Sequence, residues 1–200
     1  MFADDTRVLR KISTEEDVEA LQEDLEKVFN WQEDNNMKFN GKKFELLRYG
    51  NNEILKENTK YLNPEGEEIE QTEKLRDLGI QMSDTANFNE HIYNTKVCKT
   101  VNQKCAWILR TFICRNTYFM KTMWKTLVQP HIDYCSQLWM PVKTGDIEKI
   151  EILQKHFTKR IPEVRHLSYW DRLKKLKMLS QERRMERYRI IYTWKILEGK

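Results

Sequence analysis

The chain has 200 residues and a mass of 24.4 kDa, which suits one large domain or two small ones. A hydrophobic fraction of 40% supports a packed core, while no apolar run approaches the length that spans a bilayer. Because the first residues are acidic and not a signal peptide, the sequence predicts an intracellular protein without a membrane partner.

The net charge of +4 is unevenly distributed along the chain. Residues 1–90 hold 12 Lys and Arg against 22 Asp and Glu, a net charge of −10. Residues 91–200 hold 23 against 9, a net charge of +14. A basic half suits a polyanion such as nucleic acid, but the same cations also fit an ordinary solvated helix surface.

The reactive residue types form no familiar enzyme motif outside the first residues of the chain. The four cysteines have no paired short spacing, and without a secretion signal they indicate reduced thiols. His131 and Cys135 lie four residues apart, but a zinc site needs about four ligands. There is no glycine-rich phosphate loop and no dinucleotide-binding motif.

The chain opens on two adjacent carboxylates, Asp4 and Asp5, between apolar residues. Such a run is typical of a β-hairpin with the carboxylates near its tip, where they could bind Mg²⁺; a solvated surface turn is the alternative. Ser13 to Glu16 has the pattern of a capping box opened by Ser13. The helical spacing after it predicts a helix to about Gln32.

Short extended segments are predicted next, and helices after Asn87. Strands are predicted at 43–49 and 74–80, with a turn at 63–66 between short paired strands at 61–62 and 68–69. Predicted helices cover residues 88–112, 117–128, 146–159, 169–176 and 181–197. Pro130 is expected to end the second of these, and Asp146, Ser168 and Ser180 are expected to cap the last three.

Several short motifs occur in a fixed order. Phe2-Ala3-Asp4-Asp5 is followed by Asn40 and Lys43, then by Leu78-Gly79-Ile80, and then by a helical segment containing Leu127-Val128-Gln129-Pro130-His131. In this order they resemble the C-terminal part of the reverse transcriptase of non-LTR (LINE) retrotransposons of the jockey type. The first motif is similar to that family's aromatic–Ala–Asp–Asp box.

The resemblance implies an α+β fold: a partial reverse-transcriptase palm sheet with one long helix, followed by an all-helical thumb-like region. Residues 1–86 would be the partial palm, with the catalytic-box hairpin and the primer-grip strands. Residues 87–141 would be thumb-like helices, and residues 142–200 a basic helical C-terminal extension.

The resemblance also implies roles for individual residues in two-metal phosphoryl transfer from a dNTP. Asp4 would ligate Mg²⁺ with Asp5 beside it, and Lys43 would protonate or neutralise the departing pyrophosphate. Leu78, Gly79 and Ile80 would support the primer end. The RNA template and DNA primer would be held through their phosphates by the densest basic cluster, unless that cluster is a solvated helix face. Its residues are Arg172, Lys174, Lys175, Arg183, Arg184 and Arg187.

The family's active site takes a further metal-ligating aspartate and the fingers from residues upstream of the aromatic–Ala–Asp–Asp box. We therefore expect a piece of an RNA-directed DNA polymerase, missing the upstream palm and fingers and inactive alone. A basic helical module that binds nucleic acid without chemistry, and a decayed remnant without activity, are the alternatives. The family implies the cytoplasm and the nucleus as locations.

Overall fold

The computed structural model describes residues 6–50, 59–92 and 97–199. The fold is α+β, with many helices and a few short strands. The chain divides into two compact units, which are described separately. The first comprises Met1–Leu78 and Met82–Ala86, and the second comprises Gly79–Gln81 and Asn87–Lys200.

The long helix of the first unit, α1, spans Glu15–Asp34. It begins one residue later than predicted, because the capping residue is Thr14 rather than Ser13. The Asp17 carboxylate accepts hydrogen bonds from the backbone N–H groups of Ser13 at 2.8 Å and Thr14 at 3.0 Å. The capping box therefore pairs Thr14 with Asp17, and Phe29 is the residue that α1 buries.

The first strands are shorter than predicted. Gly41–Lys43 form a 3₁₀ turn capped by Asn40, which reduces the predicted strand 43–49 to β1, Glu45–Leu47. Strand β1 pairs in parallel with β2, Glu70–Thr72. The sheet in this region is therefore a two-stranded ribbon.

The predicted turn at residues 63–66 is confirmed. The Gly66 N–H donates to the Asn63 carbonyl at 3.0 Å, and the Asn63 side chain accepts from the Glu67 N–H at 2.8 Å. The flanking residues pair as predicted, through an antiparallel bridge between Leu62 and Glu68.

The predicted strand at 74–80 is instead a β-hairpin. Strand β3, Lys74–Asp77, and strand β4, Ile80–Ser83, are joined by Leu78 and Gly79, whose φ angles are 44° and 86°. Two central residues with positive φ are typical of a type I′ turn. Glycine adopts this conformation easily and leucine rarely does, so Leu78 gives no turn signal in the sequence.

The second unit is helical from residue 97 onward. Its helices are α2 (Val97–Thr111), α3 (Thr117–Met123), α4 (Gln129–Asp133), α5 (Ser136–Trp139), α6 (Thr144–Thr158), α7 (Tyr169–Leu176) and α8 (Gln181–Leu197). Large side chains that are less than 2% exposed fill its core, among them Ile108, Met120, Trp124, Trp139, Phe157 and Leu176.

Pro130 does not end the helical segment in which it lies. A wide π turn, Trp124–Val128, joins α3 to α4, and the Gln129 N–H donates to the Trp124 carbonyl. Pro130 then occupies the first turn of α4, where a missing N–H breaks no intrahelical bond. The helical path therefore continues to Asp133.

Two of the three predicted caps in the last helices are confirmed. The Ser168 and Ser180 side chains accept from the N–H groups of Asp171 and Arg183, both at 3.3 Å. Asp146 does not cap α6, because that helix begins at Thr144 and places Asp146 in its first turn. Within the described ranges, none of the helices is long and apolar enough to cross a bilayer.

Candidate nucleic-acid interface

The predicted catalytic box lies outside the described residues, so Asp4 and Asp5 have no described geometry. Lys43 is exposed at the end of the 3₁₀ turn. Its N–H donates to the Asn40 carbonyl at 2.9 Å, so the three-residue spacing from Asn40 to Lys43 is one hydrogen-bonded turn. Among the residues the structure describes, no three His, Cys, Asp or Glu side chains come together as a metal site.

The predicted primer-grip residues sit at the turn of the β3–β4 hairpin. Leu78 and Gly79 form the turn itself, and Ile80 begins β4 with its side chain 3% exposed. Because Gly79 has a φ of 86°, a side chain at this position would strain the backbone. The motif is therefore a hairpin tip rather than the end of a continuous strand.

The predicted basic cluster does not act as one surface, because Arg172 is buried. This side chain is 4% exposed. Its guanidinium donates to the Leu167 carbonyl at 3.0 Å, the Lys155 carbonyl at 3.1 Å and the Thr158 hydroxyl at 3.3 Å. Arg172 thus ties α7 to the end of α6, and its prediction as a phosphate contact is corrected to an internal structural role.

Arg184 is also used inside the second unit. It donates to the two Asp133 carboxylate oxygens through Nε at 2.9 Å and Nη2 at 2.7 Å, and to the Tyr188 hydroxyl at 2.9 Å. The hydrogen bond with Asp133 raises the pKa of Arg184. Since this two-pronged pair joins α8 to α4, the Arg184 charge is largely neutralised by Asp133.

The other four residues of the predicted cluster are exposed: Lys174, Lys175, Arg183 and Arg187. The Lys175 ammonium lies 3.4 Å from the Glu163 carbonyl. These side chains can reach solvent and polyanions, and their phosphate contacts stay a prediction.

Three buried glutamines hold the start of α8 against α4 and α6. Gln129 and Gln181 exchange reciprocal amide hydrogen bonds at 2.9 and 3.1 Å. Gln181 also donates to Gln154 at 2.9 Å, and Trp124 donates its indole N–H to Gln129 at 2.7 Å. Polar residues at helical core positions carry no sequence signal for such a network, although Gln129 belongs to the motif that runs from Leu127 to His131.

Glu151 on α6 completes this attachment. Its carboxylate accepts from the Gln181 N–H at 2.9 Å, the Glu182 N–H at 3.2 Å and the Tyr169 hydroxyl. Burial raises the pKa of Glu151, and burial together with the hydrogen bond to Glu151 raises the pKa of Tyr169. The carboxylate therefore acts as a second cap for α8.

A groove of about 380 Å³ runs along α6 beside this cap. Glu148, Glu151 and Glu182 line it together with Trp170, and Lys155 is its basic residue. Three carboxylates against one ammonium disfavour a phosphate ligand here. This groove is therefore an unfavourable place for a phosphate backbone.

A different basic group, formed by Lys121, Lys125 and Lys177, is present on the helical unit. We call it the lysine cluster. Burial lowers the pKa of Lys121, and the nearby charges of Lys125 and Lys177 lower it further. Among the described residues none of these three ammonium groups has an ion-pair partner. Lys121 and Lys125 are four residues apart, which the sequence shows, but Lys177 joins them through the fold.

Comparison with known proteins adds no assignment: no family model matches the sequence, and neither curated proteins nor solved structures give a match.

Proposed function

We propose that this chain is the C-terminal part of an RNA-directed DNA polymerase of a non-LTR retrotransposon, similar to the jockey type. In this proposal the first unit contributes part of the palm. The second unit holds the thumb-like helices at residues 87–141 and the basic helical extension at residues 142–200, and it binds the duplex of RNA template and DNA primer. The ordered motifs from Phe2 to His131 support the polymerase part of the proposal.

The lysine cluster is the observation that carries nucleic-acid binding. The charges of Lys125 and Lys177 are near enough to lower the pKa of Lys121, and among the described residues no carboxylate is paired with any of the three ammonium groups. Unpaired ammonium groups can neutralise the phosphates of a nucleic-acid backbone, which releases its counterions on binding. Phosphate contacts are independent of base sequence, as a polymerase requires.

The proposal assigns the first unit a role in chemistry. Asp4 and Asp5 would contribute ligands to Mg²⁺, the ion that supplies electrostatic stabilisation in this reaction class. Lys43 is exposed on a short turn, and from there its ammonium could approach a departing pyrophosphate. The hairpin tip at Leu78 and Gly79 would lie under the primer end.

Binding of a labelled RNA–DNA hybrid to the full chain, followed by fluorescence anisotropy, tests the binding part. The variant Lys121→Gln/Lys125→Gln/Lys177→Gln should bind the hybrid on the order of ten- to a hundredfold more weakly. The control is Lys27→Gln/Lys60→Gln/Lys149→Gln, which removes three ammonium groups already paired with Asp24, Glu68 and Asp146. An equal loss in both variants would contradict the assignment to the lysine cluster.

The polymerase part needs a separate experiment. The chain is joined to the fingers and upstream palm of a jockey-type reverse transcriptase, and dNTP incorporation on a primed RNA template is measured. We expect synthesis that is lost in the Asp4→Ala variant. A folded chimera that binds the hybrid but makes no DNA would favour the second candidate, a helical nucleic-acid-binding module without chemistry. The lysine cluster on the second unit is equally consistent with that candidate.

A further inference from the structure

Tyr118 is an aromatic side chain on α3 that the fold leaves in solvent. Its side chain is 83% exposed, and among the described residues it makes no hydrogen bond and no ring contact. The next residue behaves differently, because the Phe119 ring packs edge-on against Phe112 at a centroid distance of 5.2 Å. Phe119 therefore anchors this end of α3, while the Tyr118 ring faces solvent.

Two members of the lysine cluster share the face of α3 that carries Tyr118. Lys121 follows Tyr118 by three residues, and Lys125 follows it by seven, in the π turn that continues α3. At 3.6 residues per turn, these intervals keep the three side chains within about 60° around the helix axis and spread them over roughly 10 Å along it. The ring and the two ammonium groups therefore form one row.

Basic side chains of α7 border this row. Lys177, at the end of α7, belongs to the lysine cluster. Glu163 connects the start of α3 with α7, because its carboxylate accepts from the Thr117 hydroxyl at 2.5 Å and its carbonyl lies 3.4 Å from the Lys175 ammonium. The row on α3 is thus flanked by two further ammonium groups, with the Glu163 carboxylate at one end.

An exposed ring beside several ammonium groups suits a nucleic-acid strand whose bases are unpaired. The ammonium groups neutralise phosphates, and the ring can stack on the π face of any base. A base inside a duplex has both faces covered by its neighbours, so the ring gains a partner from a strand with unpaired bases.

We propose that Tyr118 is a stacking platform for an unpaired base, and that the lysine cluster holds the phosphates of the same single strand. This role rests on the proposed function, because it uses the same lysine cluster. It adds the kind of strand that the surface holds, namely an unpaired strand that continues from the hybrid. Tyr118 then contributes to affinity where a base is present, whereas the lysines contribute wherever there are phosphates.

Two single strands of equal length separate stacking from phosphate contact: about twelve thymidine nucleotides, and the same sugar–phosphate chain without bases. Fluorescence anisotropy of the labelled strands measures their affinity for the full chain. Tyr118→Ala should bind the thymidine strand roughly five- to a hundredfold more weakly than the wild type, and the strand without bases equally well. Tyr118→Phe keeps the ring and should stay within about twofold of the wild type on both strands.

Tyr192→Ala is the control, because it removes a half-exposed ring from a different helix, α8, and circular dichroism checks that each variant is folded. The stacking role is overturned, and the lysine cluster is not, if Tyr118→Ala binds the thymidine strand as the wild type does, loses equally on both strands, or loses no more than Tyr192→Ala. If Lys121→Gln/Lys125→Gln/Lys177→Gln binds both strands as the wild type does, the proposed binding site fails and the stacking role fails with it.

Discussion

Replacing Gln181 by methionine should loosen α8 from the helical unit. This side chain is 1% exposed and makes three amide hydrogen bonds, two with Gln129 and one with Gln154. Methionine keeps the length of the side chain but cannot make these bonds. The Gln129 amide retains Trp124 and Asp133, and the Gln154 amide nitrogen retains the Leu179 carbonyl. The Gln154 amide oxygen loses its donor, because the single proton of the Tyr169 hydroxyl goes to Glu151, so one buried acceptor is left unsatisfied.

The expected loss follows from that count. At about 1 kcal/mol for each net hydrogen bond, and with some compensation from burying an apolar side chain, Gln181→Met should lower the free energy of unfolding by roughly 2–3 kcal/mol. Gln181→Ala adds a cavity and should cost roughly 3–5 kcal/mol. Urea denaturation followed by circular dichroism measures both values.

The control is Gln103→Ala, because Gln103 is exposed and its replacement should change the free energy of unfolding by no more than about 0.5 kcal/mol. A Gln181→Met variant within that same margin of the wild type would refute the role given to the amide network.

Three further predictions concern individual side chains of the second unit. Since the folded pKa of Glu151 is raised above its unfolded value near 4.5, its contribution to stability is present below that value and lost as pH rises through the folded pKa. The free energy of unfolding of the wild type relative to that of Glu151→Gln should therefore increase as pH falls towards 4.5. Urea denaturation at several pH values measures both proteins, and an equal pH dependence of the two would contradict this prediction. Arg172→Met should cost at least about 2 kcal/mol in the same melts, because two backbone carbonyls and a hydroxyl lose their donor; an unchanged midpoint would count against the internal role. Burial raises the pKa of Cys105 to about 12, so iodoacetamide at pH 8 should alkylate the exposed Cys114 first, as peptide mass spectrometry would show; the opposite order would contradict the burial of Cys105.

Local sequence signals predicted the parts of the fold that depend on neighbouring residues. The caps at Ser168 and Ser180 and the turn at residues 63–66 belong to this class, since each rests on contacts within four residues. The hairpin turn at Leu78 was missed because leucine seldom adopts a positive φ. Pro130 was misread because the preceding π turn shifts the helical register.

The candidate interface was harder to predict, because contacts between distant parts of the chain decide which basic side chains stay exposed and which are bonded inside the second unit. Arg184 donates a hydrogen bond to Asp133, at a sequence separation of 51 residues. Arg172 donates one to Thr158, at a separation of 14 residues. A run of basic residues in a sequence does not show which of its side chains form such internal hydrogen bonds. The sequence also does not show that Lys177 belongs with Lys121 and Lys125, because only the fold brings it near them.

The salt dependence of hybrid binding shows directly whether the lysine cluster neutralises phosphates. The logarithm of affinity falls linearly with the logarithm of salt concentration, with a slope of about 0.7–0.9 for each phosphate that a cation neutralises. If Lys121, Lys125 and Lys177 contact phosphates, replacing all three by glutamine should reduce this slope by about 2–3, while the variant of Lys27, Lys60 and Lys149 leaves it near the wild-type value. If the first variant leaves the slope unchanged, phosphate binding by the lysine cluster is contradicted, because the cations bound to nucleic acid would then lie elsewhere.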